Sequence, residues 1–226
     1  DRLVTIFLKG LYEKNVKVLL GSNKDEAKYF TLGMKLVTPE DFNAAVNQDR
    51  EMIKTNYGLD VFSEKMLTLY PLTAFASPRD AYDSLLTDSA FTCPTRVLAD
   101  ALSENGTDVY LYLFSRAPAE RGMMKNWGAF HGAELPFVFG NFNILGFDLN
   151  SAENSELSRK VIALWSSFAR TGTPAAEGAP QWAPFNTKDT PYMNLDIEIS
   201  VRNNLKKMEC DYVAELVKNA VSRIKD

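Results

Sequence analysis

The chain carries one histidine among its 226 residues. His131 stands in the stretch Gly128-Ala129-Phe130-His131-Gly132-Ala133-Glu134-Leu135-Pro136-Phe137-Val138-Phe139-Gly140. Imidazole is the side chain whose ordinary pKa already suits proton transfer near neutral pH. Glycine beside it lets the ring approach another backbone or a substrate without a steric barrier. The competing reading of a lone histidine is structural, a ring satisfied by a backbone hydrogen bond. A general base also needs an acid to orient it and a nucleophile to serve. The acid candidates are Asp25 and Glu26, in a turn that follows the apolar run Val16-Lys17-Val18-Leu19-Leu20-Gly21. In open α/β sheets, ligands and catalytic groups gather just past the carboxyl ends of strands. No Gly-x-Ser-x-Gly elbow occurs, and Ser22 lies within the acid's own turn, so a nucleophile is not found. Cys93 and Cys210 lack metal-ligand spacing, and one histidine builds no zinc cluster, so no metal or other cofactor is expected. The two cysteines are either buried thiols or one long-range disulfide.

The elements around these residues follow from pattern and punctuation. Residues 16–21 read as a buried strand, with a turn at 23–25 and a helical turn from 26 to 30. Thr38-Pro39-Glu40-Asp41 is a capping box with proline at the first helical position. It opens a helix to about residue 56, with Phe42, Val46 and Ile53 inward. A second helix is predicted over 62–69, stopped by Pro71. Ser77-Pro78 caps a third, expected to break before Pro94 and to resume through Val97, Leu98, Ala101 and Leu102. Asn105-Gly106 ends it. Residues 109–114 give the strongest strand signal, without polar alternation, so both faces should be covered. Residues 115–126 read as loop. Leu157, Val161, Leu164, Trp165 and Phe168 mark one face of a helix that Thr171-Gly172 closes. A loop at 173–184, short strands within 191–200 and a last helix from about 203 complete the chain. That helix aligns Leu205, Val213, Leu216, Val217, Ala220 and Ile224. The class is α/β, with too few strands to complete a large sheet.

Composition narrows the function classes. With 46% apolar and 12% aromatic residues, the chain can build a sizeable core and is not expected to be disordered. A formal charge of −4, from 25 basic and 29 acidic residues, offers no electrostatic footprint for nucleic acid. No window reaches the roughly 18 apolar residues of a membrane span. The start, Asp1-Arg2-Leu3, shows neither an initiator Met nor a signal peptide, so a piece or processed product of a longer chain is expected. The sequon Asn105-Gly106-Thr107 at a helix end is a candidate glycosylation site. With the two cysteines it leans towards an oxidising, secretory environment.

Four landmarks occur together and in order. They are Gly21-Ser22-Asn23-Lys24-Asp25-Glu26 followed by Tyr29-Phe30, then Phe91-Thr92-Cys93-Pro94, then the histidine stretch. The fourth is Leu157-Ser158-Arg159 with Trp165-Ser166-Ser167-Phe168-Ala169-Arg170-Thr171-Gly172-Thr173-Pro174, closed by Trp182. Together they resemble the C-terminal part of the type-B carboxylesterase and cholinesterase family, an α/β-hydrolase fold. The resemblance runs from about residue 16 to the last helix. Residues 1–226 are thus expected to be the C-terminal portion of a single domain, incomplete without its N-terminal half.

The resemblance implies carboxylic ester hydrolysis by a Ser–His–Glu triad through an acyl-enzyme, with Glu26 as acid and His131 as base. It leaves Asp25 as the cap of the following helical turn. Glu134 becomes a second carboxylate near the ring, and Tyr29 and Phe30 become substrate-facing. The serine and oxyanion hole are implied to lie in the N-terminal half, the partner without which this chain is expected to be inactive. A Cys93–Cys210 disulfide, a glycan on Asn105, a secreted or secretory-lumen location and a homodimer through the last helix are implied as well. Tyr29 takes the place of an aromatic that contacts the cationic choline group. Gly33 and Ala133, however, stand where cholinesterases carry further gorge aromatics. A general carboxylesterase is therefore expected over an acetylcholine specialist. The alternative is a catalytically inactive adhesion relative of the neuroligin or glutactin type.

Overall fold

A computed structural model describes residues 2–117, 123–144, 147–148 and 150–222. Helix α1 (Arg2–Leu8) leads to strand β1 (Val18–Asn23), and helices α2 (Pro39–Tyr57), α3 (Glu64–Leu67), α4 (Pro78–Thr87) and α5 (Cys93–Glu104) lead to β2 (Val109–Phe114). Short helix α6 (Leu135–Phe139) and the antiparallel pair β3 (Asn143–Ile144) and β4 (Phe147–Asp148) come next. Helix α7 (Ala152–Thr171), strands β5 (Pro191–Leu195) and β6 (Ser200–Asn203), and helix α8 (Lys207–Ser222) follow. Among the described residues the main sheet has the order β1-β2-β5-β6, parallel over the first three strands and antiparallel at β6.

Strand β2 shows why the sheet is sandwiched. Val109, Leu111 and Leu113 pack towards α5, in a cluster with Ala99, Leu102 and Phe185. Tyr110 and Phe114 point to the other side, towards Phe137 on α6 and Leu157, Val161 and Leu164 on α7. Alternate residues feed two cores, so both faces are apolar, as the unbroken hydrophobic run predicts. A third core joins Phe42 and Val46 of α2, Met66 of α3, Tyr82 and Leu85 of α4, and Val213 of α8. Gly21 is required by a close approach. A Cβ there would lie 2.4 Å from the Tyr112 backbone oxygen of the neighbouring strand.

The cap signals hold in detail. The Thr38 hydroxyl accepts from Asp41 N at 3.2 Å, and the Asp41 carboxylate accepts from Thr38 N at 3.0 Å. Ser77 caps α4 through Asp80 N at 3.1 Å.

Four sequence expectations are corrected. The first strand runs on to Asn23, so Ser22 and Asn23 belong to it and are buried, while Val18 to Gly21 are half-buried at the edge of the described sheet. The helix expected over 62–69 is the single turn α3, capped by Ser63. No break precedes Pro94. A π turn, Asp88–Thr92, carries α4 into α5. A proline ring collides with the carbonyl four residues back in a regular helix, and a wider turn just before it removes that geometry. The last helix begins at Lys207, because Asn204 and Lys206 adopt left-handed φ values of 61° and 47°. The preceding residues form β6, an edge strand that is mostly exposed. Ile224 lies outside the described residues.

Cys93, at the start of α5, is disulfide-bonded to Cys210 in α8. The bond closes a loop of sequence separation 117 across the third core. In the chain-entropy description, closing a loop of that size restricts the unfolded state by about 4–5 kcal/mol. Cys93→Ser in the full-length protein is expected to lower its urea midpoint by a corresponding amount, with the m-value read in parallel to expose any change in the unfolded state. Of the predicted stripe, Val213 and Val217 join this core, Leu205 lies before α8 in the cluster under β2, and Leu216 and Ala220 are half-buried. No helix among the described residues is long and apolar enough to cross a membrane.

Candidate active site

Glu26 begins a one-turn 3-10 helix, Glu26–Tyr29, directly after β1. Its Oε1 accepts from Asn23 N at 2.7 Å, which folds the carboxylate back onto the strand end. Its Oε2 lies 2.7 Å from His131 Nδ1. Glu26 is buried and the His131 ring is half exposed. An ionised carboxylate only accepts, so Nδ1 carries the proton towards Glu26. Nε2 is then left as the accepting nitrogen, without a protein hydrogen bond among the described residues. Burial holds the Glu26 carboxyl above the ordinary glutamate range. The Asn23 N–H and His131 pull it down, and the nearby Glu134 carboxylate pushes it up.

The histidine loop is clamped to the acid turn by two side chains. Asp25 does not cap the following turn, for its side chain makes no capping bond there. Its backbone N–H donates to Ala129 O at 3.0 Å, and its Oδ2 accepts from Ala129 N at 2.9 Å. Lys28 neutralises the other oxygen at 3.0 Å. A residue that reaches across to a loop a hundred positions later is not free to bend back on its own helix. Gly128 makes the approach possible: its φ is +61°, and a Cβ would fall 2.3 Å from Asp25 Oδ2. Asn23, the second clamp, donates Nδ2 to Phe130 O at 2.8 Å and to the Glu134 carboxylate. Glu134 therefore reaches the pair through Asn23.

Aromatic rings surround the imidazole. Phe30 and Phe91 lie 5.1 and 5.3 Å from the His131 ring, centroid to centroid. Tyr29 packs edge-on against Phe30 and Trp127. Tyr29 and Phe30 remain 46% and 51% exposed, so both present an apolar surface beside the base. Gly33 has open space around it. Ala133 is buried in the core behind the loop.

Sequence reasoning passed over Asn23 and Asp25 as clamps, Thr87 altogether, and the place of landmark residue Phe91 beside the histidine ring. Thr87 holds the acid turn by accepting from Ala27 N at 3.0 Å. The signal available for Asp25 was Gly128, a glycine where another chain segment had to come close. Asn105, the sequon residue, donates Nδ2 to Ala101 O at 2.8 Å at the end of α5. A glycan on that nitrogen would replace one of its two hydrogens and leave one N–H able to donate. Among the described residues no group of three or more His, Cys, Asp or Glu could hold a metal ion.

Parallel strands between helices, with a carboxylate and an imidazole meeting past their carboxyl ends, define an α/β-hydrolase. A solved PNB esterase has the same fold, with a TM-score of 0.71 at 27% identity over 92% of this chain and 40% of that one. The chain belongs to the carboxylesterase family, whose sequence profile matches residues 6–213. Carboxylesterase 5A of Felis catus is 36% identical over 59% of this chain and 26% of its own length. Acetylcholinesterase 1 of Caenorhabditis elegans is 28% identical over 94% of this chain and 39% of its own length. The chain thus spans between 26% and 40% of the length of these relatives.

Proposed function

We propose that these residues are the C-terminal portion of a single-domain carboxylic ester hydrolase, and that Glu26 and His131 are the acid and base of its Ser–His–Glu triad. The observation that carries this reading is the 2.7 Å contact from Glu26 Oε2 to His131 Nδ1. It leaves Nε2 as the accepting nitrogen of a half-exposed ring. The serine and the oxyanion hole come from the N-terminal portion, docked against the side of the site where Phe30, Tyr29 and the β1 edge lie open. The serine Oγ gives its proton to Nε2 as it attacks the ester carbonyl. The imidazolium so formed is stabilised by buried Glu26 and returns the proton to the leaving alcohol. Water then repeats the sequence on the acyl-enzyme. The exposed aromatic rings favour esters with uncharged apolar groups. Both carboxylates nearest the ring after Glu26 are already engaged, Asp25 by Ala129 and Lys28 and Glu134 by Asn23. The disulfide supports a secretory location for the whole protein. A homodimer through α8 would have to use the outer side of that helix, such as exposed Met208.

The test is labelling of the full-length protein with a fluorophosphonate, followed by peptide mapping and p-nitrophenyl acetate turnover. The expected result is hydrolysis, with one adduct on a serine outside these 226 residues. Neither adduct nor turnover would put the protein with the inactive adhesion relatives. An adduct on Ser22 would overturn the assignment of the nucleophile.

A further inference from the structure

The π turn between α4 and α5 touches the candidate site at three points. Thr87, immediately before it, accepts from Ala27 N at 3.0 Å, in the acid's turn. Thr92, at its end, lies 3.2 Å from Ser22 on β1, hydroxyl to hydroxyl. Phe91, between them, sets its ring 5.3 Å from His131 at an interplanar angle of 48°. Phe30 approaches the same ring at 5.1 Å and 49°, and the two phenyl rings stack on each other at 5.9 Å. The imidazole therefore rests on a pair of near-parallel phenyl rings, one from the acid's segment and one from the π turn.

The turn is fixed from behind. Asp88 is buried, and its Oδ2 accepts from Tyr70 OH at 2.6 Å and pairs with Lys206 Nζ at 2.7 Å. Cys93, the residue after the turn, is bonded to Cys210. A regular α-helix through the same residues would rotate Phe91 relative to Thr87, because each residue advances about 100° in the α form and less in the wider turn. The local widening sets Phe91 towards the base while Thr87 stays on the acid.

We propose that the π turn Asp88–Thr92 registers the acid against the base, with Phe91 as a positioning residue for His131. This rests on the reading of Glu26 and His131 as a catalytic pair. Its physical content is restriction. A half-exposed imidazole has other rotamers, and each of them loses the Nδ1–H bond to Glu26. Contact with the two phenyl rings, at 5.1 and 5.3 Å, opposes such a turn. Small misplacements of a base are costly to turnover, with losses of about 10²-fold for a shift near 1 Å.

The experiment compares Phe91→Ala, Phe91→Leu and Phe91→Tyr in the full-length protein. Two readouts are taken, kcat and KM on p-nitrophenyl acetate and butyrate, and the downfield Nδ1–H proton resonance, assigned by its loss in His131→Gln. The expected result for Phe91→Ala is a fall in kcat of about 10- to 100-fold, equal for both esters, with KM within about twofold. Its Nδ1–H signal should broaden through exchange with water. Phe91→Tyr should restore both readouts, and Phe91→Leu, which keeps apolar volume without the ring face, should fall between them. Unchanged kcat and an unchanged Nδ1–H signal in Phe91→Ala would overturn the proposal. So would a loss confined to the larger ester, which marks a pocket wall. A wild-type protein without turnover defeats the proposed function, and the Nδ1–H readout then still decides the role of Phe91.

Discussion

Replacing His131 by alanine in the full-length protein is expected to lower kcat on a p-nitrophenyl ester by about 10⁴-fold or more, with little change in KM. The serine hydroxyl then has no acceptor for its proton, and the leaving alcohol has no donor. Fold stability should fall only modestly, since buried Glu26 loses its side-chain partner but water entering the opened space can replace it. The ring is half exposed and its polar bond is to a single partner, Glu26. Removing it leaves a cavity open to solvent, which is cheaper than a closed one. Steady-state kinetics with thermal melts of the same preparations check both halves. Retained turnover would remove His131 from the mechanism.

Glu26→Gln should cost about as much in turnover, on the order of 10⁴-fold, for a different reason. The amide keeps the shape and can still accept from Asn23 N. It can also offer an N–H to Nδ1, which favours the tautomer with the proton on Nε2, the wrong nitrogen for a base. It cannot stabilise an imidazolium either. Stability should move in the opposite direction from activity. Burial raises the Glu26 carboxyl above its ordinary range, so its contribution to stability is complete below the unfolded-state pKa and is lost as pH rises through the raised one. At neutral pH the native protein bears the cost of a buried charge, which glutamine removes. The variant is expected to melt at or above the wild-type temperature at pH 7.5, and to lose that advantage near pH 4. A lower melting temperature at pH 7.5 would contradict this account of the acid.

The parts of the site visible in the sequence were those written in contiguous motifs. The histidine stretch, the Asn-Lys-Asp-Glu turn and the uninterrupted apolar run of β2 each announce themselves over a few residues. The Thr38 and Ser77 caps do so as well, because a cap is a local hydrogen bond between neighbours. The Cys93–Cys210 pairing came only with the family resemblance, since two distant cysteines are equally compatible with free thiols. What stayed hidden is non-local. Asp25 looks like a cap until Ala129 and Gly128 arrive from a hundred residues away to claim its carboxylate. Asn23 gives no sign that its amide will hold Phe130 O and Glu134. The π turn is invisible for a related reason. Pro94 signals trouble for a helix, and only packing against Tyr70, Lys206 and His131 decides whether the chain breaks or widens. Likewise Lys206 takes a left-handed conformation that its residue type does not advertise, next to Asn204, whose type tolerates one. The Asp88–Lys206 ion pair lies at the end of that segment and goes with them.

The covalent loop has a consequence for the order in which a new chain matures. Residue 131 lies inside the segment that Cys93 and Cys210 enclose, and translation runs from the amino end. When the ribosome has finished the acid and the base, Cys210 and Lys206 are still unmade. The π turn then lacks both the ion partner of Asp88 and the sulfur partner of Cys93. Domains acquire structure as they emerge, but this one can close its loop only after the start of α8 has left the exit tunnel. Nascent chains stalled before Cys210 should therefore hold Cys93 as a free thiol that alkylating reagents reach.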